Sequence, residues 1–388
     1  FIWEEPNDEF LHHDLIQLPN DNYLGIVEER IPGPIPLGSW TDQFRNLGFV
    51  ADGITQEFPW VGDRIVEWDR DGTEVWTWSA FDSYSMEDFD SLGGTWVEAR
   101  QKLRYDWTHI NAVWFDKNES AIYISSRHLS RITKISYPSG EILWNMGHDM
   151  PSGDVNFGHN LGFSFQHSLQ ILDNGNIITL DNGNLSETFL NTDFPTTRAL
   201  EIQVSEDQND LTASIVWEYS LPENLFGFAS GNVQKLENGN YLITTVGGGG
   251  TVLEVTPTHE TIWEANLNLM LPTGAVYRAN RISSLYPSTS QLGVDDRAPI
   301  ITDFHLNEPY PNPFNPMVNI EFSIIEKSVI YLLVYDIKGT ELETIYNGIR
   351  YPGIYKYSWN AEKYPSGTYF VKLKTESYEE TKKIVLLK

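Results

Sequence analysis

QHSLQILDNGNIITL, residues Gln166 to Leu180, holds a histidine, an apolar stretch, a tight polar turn and a second apolar stretch. Asp173-Asn174-Gly175 between two such runs is a β-hairpin signal, because glycine takes the left-handed backbone that other residues resist. The same design recurs in three more places. HHDLIQLPNDNYLGIV (His12 to Val27) and THINAVWFDKNESAIYI (Thr108 to Ile124) keep a histidine ahead of the first strand, whereas SGNVQKLENGNYLIT (Ser230 to Thr244) has Gly231 there. A repeat that returns a histidine to one step brings those imidazoles to equivalent places, and a radial fold gathers them on its axis. His13, His109 and His167 are therefore a candidate site assembled by symmetry. His13 is preferred over its neighbour His12 because it aligns with His167.

Each of these segments is followed by a second pair of alternating runs that closes near a tryptophan. The four are RIVEWDRDGTEVWTW (Arg64 to Trp78), RITKISYPSGEILWNMG (Arg131 to Gly147), ALEIQVSEDQNDLTASIVWEY (Ala199 to Tyr219) and TVLEVTPTHETIWEA (Thr251 to Ala265). Two hairpins per repeat predict four-stranded antiparallel sheets. From the histidine step to the closing tryptophan the compact copies take 35 and 32 residues. The first and third take 63 and 50, which places insertions around Gly33 to Trp60 and Gly183 to Thr197. The triplets Asp173 to Gly175, Asp181 to Gly183 and Glu237 to Gly239 are all read as hairpin turns.

Repeats of this length match the blades of a β-propeller, so residues 1–286 are expected to form most of one. Trp3-Glu4 matches the end of a repeat and Val276 to Tyr286 the start of another, which gives five or six blades, with six expected. Phe1 is not an initiator methionine and Phe1 to Glu5 reads as a strand under way, so further sequence, with any signal peptide, is expected before it. No segment shows sustained helical periodicity, and the fold class is all-β. Residues 287–303 (PSTSQLGVDDRAPIITD) break the pattern as a linker. Residues 304–388, with short strands and frequent turns, predict a small immunoglobulin-like β-sandwich.

The chain has 388 residues, a net charge of −28, no cysteine, and 13 Trp, 19 Tyr and 19 Phe. The absence of cysteine excludes disulfides, zinc-thiolate sites and a cysteine nucleophile. Residues 1–300 carry 16 Lys and Arg against 43 Asp and Glu, while residues 301–388 carry 10 against 11. So acidic a surface repels phosphate backbones and anionic lipid, which argues against a nucleic-acid partner. No apolar run approaches 18 residues, so no membrane span is expected. Arg127, set beside a repeat motif in this acidic region, is a candidate for facing an anion.

Taken in order, HHDLIQLPNDNYL, WVGDRIVEWDRDGTEVWTW, DWTHINAVWF, ISSR, FQHSLQILDNGNIITLDNG and GNVQKLENGNYLI closely resemble the bacterial aryl-sulfate sulfotransferases, the PAPS-independent arylsulfotransferase family of β-propellers. The resemblance implies a histidine nucleophile that takes a sulfuryl group from a phenolic sulfate and passes it to another phenol, without a cofactor. Carried over by position, it implies His167 as nucleophile, His13 and His109 as partners and Arg127 as the anion clamp. Asn111, Arg198 and His12 are weaker candidates for substrate binding. The match at Arg198, in TTRAL, is looser. Trp60, Trp114, Phe115, Phe163, Phe165 and Phe228 lie near the motifs and are candidate walls for the aryl rings.

The tail has its own resemblance. EPYPNPFNP (Glu308 to Pro316), VYDIKG (Val334 to Gly339), YPSGTYFVKL (Tyr364 to Leu373) and KKIVLLK (Lys382 to Lys388) resemble the C-terminal sorting domain of the type IX secretion system. That implies export across an outer membrane, and release or surface anchoring, through residues 304–388.

Two other functions fit the residues less well. One is a non-catalytic surface-displayed binding propeller in which the histidines are relics. The other is a metal site made by three imidazoles with Asp14, which the fixed cation of Arg127 disfavours.

Overall fold

The computed structural model describes residues 11–207, 210–268, 276–282, 304–325, 327–350, 353–376 and 378–388. The chain divides into two units, Phe1–Ser283 and Ser284–Lys388. The expected strand at Phe1 to Glu5, the Trp3-Glu4 repeat end and the 287–303 linker lie outside the described residues.

Among the described residues the first unit holds four sheets, each made of strands consecutive in the chain. The first holds β1 (Leu11–Gln17), β2 (Tyr23–Gly33), β3 (Phe58–Trp68) and β4 (Glu74–Ser79), with the short β5 (Tyr105–Asp106) added parallel to β3. The second holds β6 (Ile110–Asp116), β7 (Ala121–Ser126), β8 (Arg131–Ser136) and β9 (Ile142–Gly147). The third is β10 (His167–Ile171), β11 (Ile177–Asp181), β12 (Arg198–Asp207) and β13 (Asp210–Ser220). The fourth is β14 (Asn232–Lys235), β15 (Tyr241–Thr245), β16 (Thr251–Val255) and β17 (Thr261–Asn266). The DNG and ENG turns at Asp173 to Gly175 and Glu237 to Gly239 form as read, with Gly175 and Gly239 at φ 82° and 86°. Asp181 to Gly183 does not. It ends β11 and opens the insertion before β12, for reasons set by its side chains.

The sheets bury both faces, which explains strands such as Ile177-Ile178-Thr179-Leu180 that are apolar throughout. Successive side chains of a strand point to opposite faces. Thus Ile177 packs with Tyr123, Ile132 and Trp144 of the second sheet, while Ile178 and Leu180 pack with Val233, Tyr241 and Ile243 of the fourth. The first and second sheets share a third core through Ile26, Ile65, Ile122 and Ile124. Each fully buried isoleucine contributes about 1.5–3 kcal/mol.

The first sheet carries structure the periodicity did not reveal. Helices α1 (Thr41–Arg45), α2 (Ala80–Ser83) and α3 (Thr95–Lys102) lie in its insertions, and α4 (Ser186–Phe189) lies in that of the third sheet. They are too short to show a helical repeat and form because they pack. Trp96 of α3 stacks on Tyr105 at 3.9 Å between ring centroids, inside a cluster with Trp40, Phe44, Phe58 and Trp60. This packing fixes β5, and β5 delivers Asp106 to the site. The described part of the next expected repeat, residues 276–282, forms no strand. It runs beside β14, where Asn232 and Gln234 side chains hold Ala279 and Arg281.

The second unit has two antiparallel sheets. One orders β18 (His305–Leu306), β19 (Met317–Ile324) and β22 (Gly353–Asn360). The other orders β21 (Glu341–Arg350), β20 (Ser328–Tyr335), β23 (Gly367–Lys374) and β24 (Glu379–Leu386). Alternate residues of β19 (Val318, Ile320, Phe322, Ile324) enter one core with Leu332, Val371 and Ile384. The Pro-Asn-Pro-Phe-Asn-Pro segment runs along the last strand: Asn312 bonds the backbone of Lys383 and Val385, and Phe314 that of Val385 and Leu387.

Candidate active site

The first strands of the three histidine-bearing sheets are each interrupted at the histidine end. The register of β1 shifts between His12 and Leu15, of β6 between Ile110 and Ala112, and of β10 between His167 and Gln170. β14, which has Gly231 in place of histidine, pairs without a shift. Bulges re-aim side chains and concentrate beside functional sites. The histidines consequently do not share one register. His12, not His13, faces Ile26 across the ladder as His167 faces Leu180, and His109 precedes its strand. His13 and His109 reach the centre through left-handed backbone, at φ 61° and 49°, and Phe165, Ser168 and Ser230 nearby are also left-handed. Such conformations cost about 1–3 kcal/mol each and persist only where the surroundings enforce them.

His167 is buried, and its tautomer follows from its partners. Its Nδ1 lies 2.7 Å from Asn182 Oδ1. The Asn182 amide nitrogen donates to the carbonyls of Gly227 and Ser230, at 2.6 and 3.0 Å, so Oδ1 is the end turned to the ring. His167 Nδ1 therefore carries the proton and Nε2 the lone pair, which accepts the Ser230 N–H at 3.2 Å. Burial, followed by the charge of Arg127, pushes the His167 pKa well below its usual value. The ring is neutral across the physiological range, with an unprotonated Nε2.

Arg127 is held from three sides. Its guanidinium lies over the Phe165 ring at 4.7 Å. NH1 donates to His128 Nε2 at 2.6 Å and NH2 to the Phe228 carbonyl at 3.2 Å. Its backbone N–H bonds the carbonyl of His109, and Nε is buried without an acceptor among the described residues. Burial lowers its pKa to about 10, which leaves it charged at neutral pH. His128 donates through Nδ1 to the Asp106 carbonyl at 2.6 Å. With Nε2 accepting from Arg127, the ring is neutral, in keeping with a pKa that burial lowers to about 3.

The remaining histidines form a chain. Asp106 Oδ2 is 2.7 Å from His109 Nδ1, His109 Nε2 is 3.1 Å from His13 Nε2, and His13 Nδ1 is 2.7 Å from His12 Nδ1. His12 Nε2 in turn lies 3.1 Å from Asp63 Oδ1. Burial raises the Asp106 pKa, but His109 and His128 outweigh it and hold the carboxyl well below the usual range. Tyr277 bridges the chain and His167, its ring 5.7 Å from His13 and 6.5 Å from His167.

The other sequence candidates lie apart from this centre. Arg198 spends its fork on Asp181, Glu218 and the Leu161 carbonyl, so it joins strands rather than facing a ligand. That pair is why Asp181 to Gly183 is not a hairpin turn. Asn111 is buried and donates to the Gln166 carbonyl at 2.8 Å, holding the backbone just before His167. Asp14 pairs with Arg278 at 2.8 Å and accepts the Val113 N–H, away from the imidazoles. Trp60 and Phe163 belong to the cores, and Phe228 reaches the site through its carbonyl. Asp106, His109 and His128 bring ligand-type atoms within 4.8 Å of one another. Their hydrogen bonds to His13, Arg127 and each other occupy those atoms, and the Arg127 cation beside them opposes a metal.

Asp63, Asp106, Asn182 and Tyr277 are the contributors that the sequence did not single out, and His128, beside Arg127, was only a weak candidate that could equally be a loop or capping residue. Only Asn182 had a local signal, since an Asn after a strand's last residue can act as more than a turn former. A cavity of about 300 Å³ opens beside His128, walled by Phe89, Leu92, Met150, Leu185 and Phe189. A second, of about 310 Å³, runs between the first strands of all four sheets, touching Asp14, Val113, Ser168 and Gln234, with Arg278 across it.

Fold and site together define an all-β protein with a buried, imidazole-rich centre facing a guanidinium. Residues 50–267 match the family described as Arylsulfotransferase (ASST), and the chain belongs to that family. Residues 308–387 match the secretion system C-terminal sorting domain, of the type IX pathway, so the protein is exported and is secreted or attached to the cell surface. No curated protein matches the chain. Among solved structures, a protein of unknown function from Bacteroides caccae is 13% identical over 66% of this chain and 78% of its own, with TM-score 0.34. The Cps50 (Swd1) beta-propeller domain of Myceliophteria thermophila is 8% identical over 81% and 90%, with TM-score 0.31. At such scores neither likeness bears on fold detail or chemistry. Among the described residues no helix is long and apolar enough to cross a membrane.

Proposed function

We propose that the protein is an aryl-sulfate sulfotransferase working through a sulfohistidine on His167, by a ping-pong cycle with a phenolic sulfate as donor and a phenol as acceptor. The observation that carries this is the tautomer of His167: Asn182 Oδ1 accepts from Nδ1–H, which leaves the lone pair on Nε2, where only the Ser230 N–H among the described residues must give way to sulfur, inside a buried centre that also holds Arg127. Sulfuryl transfer needs an in-line nucleophile and positive charge on the equatorial oxygens, as phosphoryl transfer does. Nε2 attacks sulfur, the ester S–O bond breaks, and Arg127 binds the sulfate oxygens. His109 and His13 handle the phenol proton. The apolar walls beside His128 suit an aryl ring.

In this reading the four sheets are blades of a propeller, with residues 1–286 its extent and 287–303 a linker. The shared cavity between the four first strands supports it. The 304–388 unit is read as an immunoglobulin-like sandwich that engages the secretion machinery.

Donor alone is expected to release one nitrophenol per enzyme from p-nitrophenyl sulfate as a burst, and continued release is expected only when phenol is present as acceptor. Mass spectrometry after donor-only incubation is expected to find acid-labile sulfation on His167. Full activity of a His167→Ala protein defeats the proposal.

A further inference from the structure

We propose that His12, His13 and His109, with Asp63 and Asp106 at the two ends, act as one hydrogen-bonded chain that keeps a single proton at His109 Nε2 for the phenolic oxygen from one turnover to the next. The inference rests on the sulfuryl-transfer reading above and assigns His12 and Asp63 a role in it. The chain makes four contacts: Asp106 to His109, His109 to His13, His13 to His12, and His12 to Asp63. A carboxylate only accepts, so the two end contacts take a proton each from His109 Nδ1 and His12 Nε2. Each ring-to-ring contact needs one more. Three neutral imidazoles bring three protons to four contacts, and one extra proton completes the chain.

Four protons fill the chain in three ways, according to which ring carries two, and exposure and burial select His109. His109, protonated at both nitrogens and paired with Asp106, donates through Nε2 to His13 Nε2, His13 donates through Nδ1 to His12, and His12 donates to Asp63. The charge sits on His109, whose side chain is 26% exposed against 12% for His12. Burial and the charges of its two neighbours push His13 down to about 3, so the middle ring accepts from His109 and does not hold the charge. The other charged or titratable groups around the chain are Arg278, Asp14, Tyr277, His128 and Arg127.

The balance over a cycle is closed. In the first half-reaction His167 Nε2 bonds sulfur, the S–O bond breaks, the electron pair leaves on the phenolate oxygen, and His109 supplies that oxygen with its Nε2 proton. The chain is left with three protons and one empty contact between His109 and His13, which at 3.1 Å is the longer of the two ring-to-ring contacts. In the second, the acceptor oxygen bonds sulfur, the N–S bond breaks, the pair returns to Nε2, and the acceptor's proton fills the empty contact. The site thereby keeps its own proton between turnovers.

The test compares the full-length wild-type, His12→Leu and His12→Gln proteins with phenyl sulfate and p-nitrophenyl sulfate. Leucine gives His13 Nδ1 no acceptor, so nothing fixes His13 Nε2 as the acceptor that orients the His109 proton, whereas a glutamine amide can accept from His13 and donate to Asp63 as His12 does. The chain predicts that in His12→Leu kcat/KM for phenyl sulfate, whose phenolate needs a proton to leave, falls about tenfold or more, while that for p-nitrophenyl sulfate changes by less than about twofold, and that His12→Gln restores much of the loss. An equal fall with both donors, no fall with either, or a His12→Gln protein as impaired as His12→Leu overturns it. Wild-type protein inert to both donors defeats the sulfuryl-transfer reading instead. In that case, or if His12→Leu does not fold, nitrogen-15 spectra of the wild-type imidazoles decide the matter. Protons on His109 Nδ1 and Nε2, His13 Nδ1 and His12 Nε2 support the chain, and any of these nitrogens found unprotonated overturns it.

Discussion

Replacing Asn182 tests whether the His167 tautomer underlies the activity. The amide makes three hydrogen bonds: it accepts from His167 Nδ1 at 2.7 Å and donates to the carbonyls of Gly227 at 2.6 Å and Ser230 at 3.0 Å. In Asn182→Ala the ring loses the acceptor that fixes its proton. A neutral hydrogen bond of about 1–1.5 kcal/mol corresponds to roughly tenfold in kcat. Two carbonyls lose their donor, which costs about 2–4 kcal/mol of stability in all and lowers Tm by roughly 5–10 °C. Asn182→Asp keeps an acceptor but places negative charge on Nδ1–H, which favours the imidazolium and raises the His167 pKa. Nucleophilic attack needs Nε2 unprotonated, so the acid limb of the pH–rate profile, lying below 6.5 in the wild type, moves up in the Asp protein. Activity then recovers as pH rises. The assay is nitrophenol release with saturating phenol between pH 5 and 9. A kcat for Asn182→Ala within about twofold of wild type, together with an unmoved acid limb for Asn182→Asp, would refute the reasoning.

Four further outcomes are expected. His128→Leu removes the ring that holds Arg127 NH1, a charge-assisted bond of about 1.5–3 kcal/mol, so kcat/KM for the donor falls about tenfold or more in steady-state assays. His128 and His167 are buried and neutral, with pKa values lowered chiefly by burial. Their contribution is complete above pH 6.5 and is lost as pH falls below it, at up to about 1.4 kcal/mol per pH unit each, which urea unfolding at pH 7.5 and 5.5 will show. Arg131 and Asp88 form a pair in which both side chains are fully buried. Arg131→Met leaves that carboxylate uncompensated, and chemical denaturation is expected to find a loss of about 3–5 kcal/mol, largely restored in Arg131→Met/Asp88→Leu. Removing residues 304–388 is expected to trap the protein inside the cell while a reporter fused to them is exported, as immunoblots of cell and culture fractions will show.

The repeat was legible because two-residue alternation, the turn triplets and the closing tryptophans are local properties of the chain. So were the two matching segments of sequence, and the proximity of His13, His109 and Arg127. The helices of the first insertion were not legible. Eight residues of α3 hold too little periodicity, and Trp96 makes them a helix only by stacking on Tyr105. Nor was Asp181-Asn182-Gly183, whose letters equal those of a true turn at Asp173-Asn174-Gly175. What separates them is Arg198, which takes Asp181, and His167, which takes Asn182.

By itself the sequence determined the all-β class, the sheet count within residues 11–266, the sorting tail and the residue types at the centre. Those follow from spacing along one chain. Only the tertiary structure decided the protonation pattern. Which nitrogen of His167 holds the proton depends on an amide 15 residues away that is itself oriented by a loop 45 residues further on. The chain from Asp106 to Asp63 likewise depends on two strand bulges and on a short parallel strand that no repeat encodes. Hydrogen-bond direction is a property of neighbours in space, and in this protein those neighbours come from separate strands and loops.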